Sequence, residues 1–436
     1  MTLAPTPARR GRAATLLVLT ALLISTVGDE IALVALALRG ADQSGLTSVV
    51  SAQMLAGLLP GILLGGPIGR IVDRHRADAV LGVTLALECL VAAAAAAVAD
   101  GVVLLVATML LLGALGAVAQ TCVMALVPQL FPESGVQLRV NGVMESMRNA
   151  GYVVGPLAAG LLSAHGGTGL ALAADAGTFA VALPAVPVIS LWLARAAGPV
   201  SETAGADDDV AAENTATTAK TEGGLRTGLA LLWAGAQRRT TLTTIVVTVA
   251  ATSGINVLLP FFTEDVPGGR ATYGLVLAVW SVGLVLGPFA LRGRLARRPT
   301  ATTAVLATTV IGLAYLVVGA RPLVPLMLTA CLFGGMANAV QNVALRTYVM
   351  SDCPPDVRGR VGAAYGATLQ SSVAVGFALA GLVPADWARW GIVAGGAVGF
   401  AAGTVGWSRG RARSLTPMPD EDVPLIPGQV AAGGRS

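Results

Sequence analysis

Charge is scarce in this chain. Asp, Glu, Lys and Arg make up 12% of 436 residues, against 55% hydrophobic residues and a mean hydropathy of +0.74. A soluble chain of this length needs a polar surface that so few charges cannot supply. Aromatics are equally few, at 4%, so the apolar mass is Ala, Leu and Val together with 54 Gly. Small residues at that density suit helices packed closely in lipid. Two His cannot build a histidine-rich metal centre. Four Cys lie far apart, none in a CxxC pair, and argue against a disulfide framework or a zinc site. Lys220, the one Lys, follows Ala219. A Walker loop requires Gly-Lys followed by Ser or Thr, so an ATP-driven pump is disfavoured. No Ser/His constellation points to an enzyme. Neither a cofactor, a metal nor a nucleic-acid partner is expected.

Long apolar runs are what the chain does have. A helix that crosses a bilayer takes about 20 mostly apolar residues. Such runs fall near 14–38, 46–69, 78–99, 102–126, 138–163 and 169–194. After a polar stretch they resume near 240–262, 272–291, 300–320, 323–345, 360–383 and 388–408. The first follows Arg9, Arg10 and Arg12 and is too long for the core of a secretory signal, so it is expected to be a retained first span. Twelve spans place both termini on one side. Of the 28 Lys and Arg, only Arg39, Arg270, Arg321 and Arg389 then fall on the opposite side, with Arg148 inside a span. Cytoplasmic loops carry such an excess, so a multi-pass protein of the cytoplasmic (inner) membrane with cytoplasmic termini is expected.

The expected organisation is a six-helix bundle over 1–195, a cytoplasmic linker over 196–238, a second six-helix bundle over 239–410 and a disordered tail over 411–436. Within the linker, the polar stretch from about Gly198 to Gly224, with Asp207-Asp208-Asp209, reads as disordered. The halves echo each other. Gly66-Pro67 is followed by Arg70 and Arg74, and Gly287-Pro288 by Arg292 and Arg294, as in two repeats related by an axis along the membrane normal.

Two motifs stand out. One is Gly69-Arg70-Ile71-Val72-Asp73-Arg74 in the loop after the second span. The other, in the fifth span, is Gly142, then Gly151, Gly155-Pro156 and Ala159-Gly160. They resemble the GxxxD(R/K) loop and the antiporter motif of the major facilitator superfamily. Gly28-Asp29, Pro128-Gln129-Leu130-Phe131-Pro132, Asp175-Ala176-Gly177-Thr178-Phe179 and Arg358-Gly359-Arg360-Val361 are similar to its enterobactin-exporter and macrolide-efflux branch. The resemblance covers nearly the whole chain outside linker and tail. It implies an all-α fold of two pseudo-symmetric six-helix bundles working as a monomer by alternating access. It also implies export of a small amphipathic molecule (a drug, a siderophore or another natural product) in exchange for protons. The proton gradient would be the energy source. The alternative is a proton-coupled uptake symporter of the same fold.

Residues four apart share a helix face. The sets Gly57, Gly61, Gly65 and Gly69; Gly151, Gly155 and Ala159; Gly283 and Gly287; and Gly362 and Gly366 therefore form stripes. Carried on the helices that face across the halves in the superfamily, they are expected to line the sliding seams. Pro156 should bend its helix. Asp73 and Arg74, opposite Arg358 and Arg360, are expected to latch the cytoplasmic gate. Ionisable groups at membrane depth are functional candidates. Asp29, Glu145 and Arg148 lead for proton coupling, followed by Glu30 and Glu88, while Asp175 is expected to be structural. Gln120, Asn141 and Tyr152 in the first half and Asn256, Asn338, Gln341, Asn342 and Gln370 in the second are candidates for substrate binding. Span four offers Gln120 and Thr121 where the superfamily usually has a basic residue.

Overall fold

The computed structural model describes residues 7–98, 101–131, 134–196, 221–290, 301–351, 353 and 357–414. Hydrocarbon offers no hydrogen-bond partner, so each backbone polar group must be satisfied within the protein, and helices do this segment by segment. The first half comprises α1 (Pro7–Ser44), α2 (Thr47–Leu63), α3 (Gly65–Arg74), α4 (Ala77–Val98), α5 (Val102–Leu130), α6 (Ser134–Ala182) and α7 (Ala185–Ala196). A short α8 (Thr221–Leu232) precedes the second half. There follow α9 (Ala236–Ser253), α10 (Ile255–Glu264), α11 (Gly269–Ala290), α12 (Ala301–Ala320), α13 (Val324–Ser351), α14 (Arg358–Ala380) and α15 (Ala388–Ser414).

Within the described residues each expected span overlaps one or two of these helices. Among the described residues nine helices are long and apolar enough to cross a membrane, or ten with the bent pair α2 and α3 counted as one span. That pair turns by 57° at Leu64, where Pro67 denies the carbonyl of Leu63 its partner. The long α6 is two spans. Gly167, at φ 74° and ψ 171°, interrupts it with a conformation that costs a glycine little. The polar stretch expected to be disordered lies outside the described residues up to Ala219 and Lys220. From Thr221 onward it is the helix α8, whose Gly228 packs on the carbonyl of Arg360 and whose Leu232 is fully buried.

The apolar cores reveal how the halves meet. One cluster unites both halves, joining Ile31, Leu36, Val50 and Met54 to Ile255, Leu259, Tyr273 and Phe377. Two others stay within one half each. Val72, Leu81, Leu126 and Phe179 belong to the first half, and Leu242, Leu345, Val349 and Val361 to the second. The shared cluster lies toward the side opposite the termini, and the separate ones toward the terminal side.

Polar contacts between halves follow the same division. Ser51 Oγ donates to the Phe377 carbonyl at 2.7 Å, and Thr47 Oγ1 to that of Val383 at 2.5 Å. Arg270 pairs with Asp42 at 2.5 Å and donates to the Ser163 carbonyl at 3.3 Å. Gly160 of α6 meets Gly274 of α11 so closely that a Cβ on Gly160 would stand 2.9 Å from the Gly274 Cα and 2.8 Å from the Arg270 carbonyl. On the terminal side Gly65, Gly69, Gly142, Gly359 and Gly366 face open space. The molecule is closed on its far side and open toward its termini.

This arrangement corrects the reading of the glycine stripes. Gly151 and Gly155 pack on Thr26 and Glu30 of α1, inside their own half. Gly57 packs on Met109 and Gly113 of α5, while Gly283 and Gly287 pack on Leu332, Met336 and Ala339 of α13. A four-residue repeat marks a face that another backbone approaches; it does not say which helix approaches.

Magnitudes rank the parts of the far-side seal. The Asp42–Arg270 pair is partly exposed and such pairs contribute about 0–1 kcal/mol. The Ser51 hydrogen bond contributes about 1 kcal/mol. A side chain at Gly160 must separate two backbones. In a variant with its native Cys replaced, Ser163→Cys should react slowly with a membrane-impermeant maleimide added from the far side. Gly160→Leu should accelerate that labelling at least tenfold, Ser51→Ala by a few fold and Asp42→Asn hardly at all. Equal effects of the three would contradict a seal built on backbone contact.

Candidate functional site

Successive faces of α1 organise the site. Thr26 and Glu30, four apart, take the face against Gly151 and Gly155 in the first arm of α6. Gly28 takes the face against its second arm. A Cβ on Gly28 would overlap Thr178 Oγ1 and stand 2.6 Å from Asp175 Oδ1. The bare glycine therefore lets the Asp175 carboxylate lie on the α1 backbone. Asp29, the next residue, is exposed although protein surrounds it closely, so it borders an interior opening rather than the outer surface.

A cluster of acids results. Cys89 Sγ lies 3.4 Å from the Ala176 carbonyl, which brings the adjacent Glu88 of α4 toward the adjacent Asp175. Glu88 is 1% exposed and Asp175 0%. Among the described residues neither oxygen of Asp175 has a hydrogen-bond partner, nor has Oε2 of Glu88. Thr178 is no help, because its hydroxyl donates to the Asp175 backbone carbonyl at 2.7 Å. Bare carboxylates in an apolar interior cost several kcal/mol when ionised. Close carboxylates also disfavour one another's charge. The arrangement can thus hold protons, and Asp29 connects it to the opening. Among the described residues no group of acids, Cys or His has the geometry to hold a metal ion.

The remaining candidates separate into those near the opening and those committed elsewhere. Glu30 is half-buried, with Tyr273 of α11 nearby, at the seam between halves. Arg148 and Tyr152 are half-buried on α6 and each is engaged by a neighbour. The side chains of Glu145 and Asn141 lie outside the described residues. Gln120 and Gln370 are exposed. Asn342 is exposed and donates to Asn338 Oδ1 at 2.9 Å, forming an amide ladder on α13. Asn256 donates to the Ser253 carbonyl at 3.2 Å, across the break between α9 and α10. Gln341 does not line the opening. It is 3% exposed and donates to Thr308 Oγ1 at 3.1 Å, tying α13 to α12. Asp73, Arg74, Arg358 and Arg360 are all exposed, and Arg358 donates to the Cys353 carbonyl at 3.2 Å. Among the described residues no ion pair joins Asp73 to Arg358 or Arg360.

Asp175 is the residue that the sequence reading assigned to structure and the geometry places in the cluster. Its signal was the pairing of two motifs, Gly28-Asp29 and Asp175-Ala176-Gly177-Thr178, whose residues turn out to touch.

Comparisons with known proteins agree with this architecture. The chain is 27% identical over 377 residues to the multidrug efflux pump Tap of Mycobacterium bovis (strain BCG / Pasteur 1173P2), covering 84% of this chain and 85% of that protein. It is 28% identical over 380 residues to Tap of Mycolicibacterium fortuitum, covering 84% and 88%. Among solved structures it is similar to a bacterial homologue of the iron transporter ferroportin in an inward-facing state. There the TM-score is 0.64 at 14% identity, over 93% of this chain and 100% of that one. The family model of the Major Facilitator Superfamily matches residues 18–378, and the chain, a multi-pass membrane protein, belongs to that superfamily.

Proposed function

We propose that the protein exports small amphipathic molecules across the cytoplasmic membrane in exchange for protons, with Asp29, Glu88 and Asp175 as its coupling centre. The observation that carries this reading is Asp175, wholly buried, with both carboxylate oxygens unpartnered among the described residues, beside an Asp29 that borders the opening. The efflux relatives support the direction of transport.

In this reading the termini are cytoplasmic and the present state faces inward. A substrate from the cytoplasm enters between the halves and meets Gln120, Gln370 and the Asn338–Asn342 ladder, with Arg148 and Tyr152 deeper on α6. Its arrival favours release of a proton from the cluster through Asp29. The halves then rock about the far-side seam, Asp73 engages Arg358 and Arg360, and Glu30 is uncovered as the seam parts. From outside, a proton neutralises the cluster, so that the helices around it can close again without burying a net charge. Each proton moved inward supplies about 2.3 kcal/mol per 100 mV of membrane potential.

Reconstituted protein tests the coupling. In proteoliposomes carrying a cationic dye, Asp175→Asn and Glu88→Gln should each lower uphill, proton-driven dye transport at least tenfold. Downhill dye exchange should stay within about twofold of the parent, because the path is intact. Retention of uphill transport by either variant would remove that carboxylate from the coupling centre. Dye movement in the same direction as the protons would make the protein an uptake symporter.

A further inference from the structure

α9 and α15 pack side by side in the second half. Between them runs a groove of about 360 Å³, lined by Thr243 and Val247 on one wall and Val405 and Gly406 on the other. Arg239 and Arg409 stand at its terminal-side end. Gly406 makes the furrow possible, because a Cβ there would overlap Thr244 Oγ1.

The groove is amphipathic along its length. Arg239 is near the start of α9 and Arg409 near the end of α15, so both sit where the helices leave the hydrocarbon. Both side chains are exposed, and neither makes a hydrogen bond or ion pair among the described residues. Thr243 presents an exposed hydroxyl on the same wall one turn deeper. Val247 lies eight residues beyond Arg239, about 12 Å deeper at the rise of an α-helix. Among the described residues no carboxylate lines the groove. Two guanidiniums at headgroup depth above an apolar furrow match a phosphodiester with an acyl chain below it.

We infer that this groove is a binding site for an anionic phospholipid of the terminal-side leaflet. The phosphate lies between Arg239 and Arg409 within reach of Thr243, and one acyl chain follows Val247 and Val405. Such a lipid spans two helices of one half only and can remain bound while the halves rock.

Native mass spectrometry of the full chain, titrated with phosphatidylglycerol or phosphatidylcholine, tests the site. The parent should retain phosphatidylglycerol adducts at least tenfold better than phosphatidylcholine adducts. Arg239→Gln with Arg409→Gln should abolish that preference, and the double Lys variant should keep most of it. Val247→Trp, which fills the apolar end and leaves both Arg in place, should lower phosphatidylglycerol binding severalfold. Unchanged phosphatidylglycerol preference in the double Gln variant, or unchanged phosphatidylglycerol binding in Val247→Trp should the former not fold, would overturn the site. Inorganic phosphate competing as well as the lipid would mean a simple anion site. Lipid preference seen only after Asp207, Asp208 and Asp209 are changed to Asn would mean that the chain's own acidic segment occupies the groove. Either result would also overturn the lipid assignment.

Discussion

The contact between Gly160 of α6 and Gly274 of α11 is the constraint from which the rest of the structure follows. Lipid tails are as apolar as the side chains that face them, so helices in a bilayer are not driven together as they are in water. What holds them is close packing and a few hydrogen bonds, and close packing needs residues without bulk. At this crossing the two backbones touch, and around it the Ser51, Thr47 and Arg270 bonds complete a seam confined to one side of the membrane. Toward the other side each half keeps a separate core. A molecule joined at one side and divided at the other has a natural motion, the rocking of one half against the other.

The site uses the same small-residue logic inside one half. Gly28 lets α1 lie on Asp175, and Gly151 and Gly155 let α6 lie on Thr26 and Glu30. Close packing there excludes water from Glu88 and Asp175 while Asp29 keeps contact with the opening. Charge concentrates in the first half, whereas the second contributes amides, of which Asn338, Asn342 and Gln370 remain available and Gln341 does not. Such a division suits a transporter in which one half handles the proton and the other helps hold the substrate.

Much of this was legible in the sequence, for physical reasons that also explain what was not. The spans and their pairing into halves show because a bilayer imposes length, apolarity and a charge bias on every crossing. The stripes on α6, α2 and α11 show close approach, but approach is a property of two helices and a stripe lies on one. Gly151 and Gly155 therefore suggested the moving seam while serving α1. Gln341 and Asn342 are neighbours with the same chemistry, yet one turns toward Thr308 and the other toward Asn338. The rotation of a helix about its axis is set by its partners. Asp175 reads as a packing residue while its span is treated as peripheral, and becomes a coupling candidate only when Gly28 places it beside Asp29.

The central claim is that the halves are joined on the far side and free on the terminal side, and that protons and substrate shift them between two closures. Pairs of spin labels would test it most directly, with one pair at His75 and Gly359 across the terminal-side opening and another at Ser48 and Leu382 across the far-side seam. Double electron–electron resonance in lipid nanodiscs, recorded with and without a transported drug at two pH values, should show the first distance shorten as the second lengthens. Distances that stay fixed in every condition, or that lengthen together, would contradict the account.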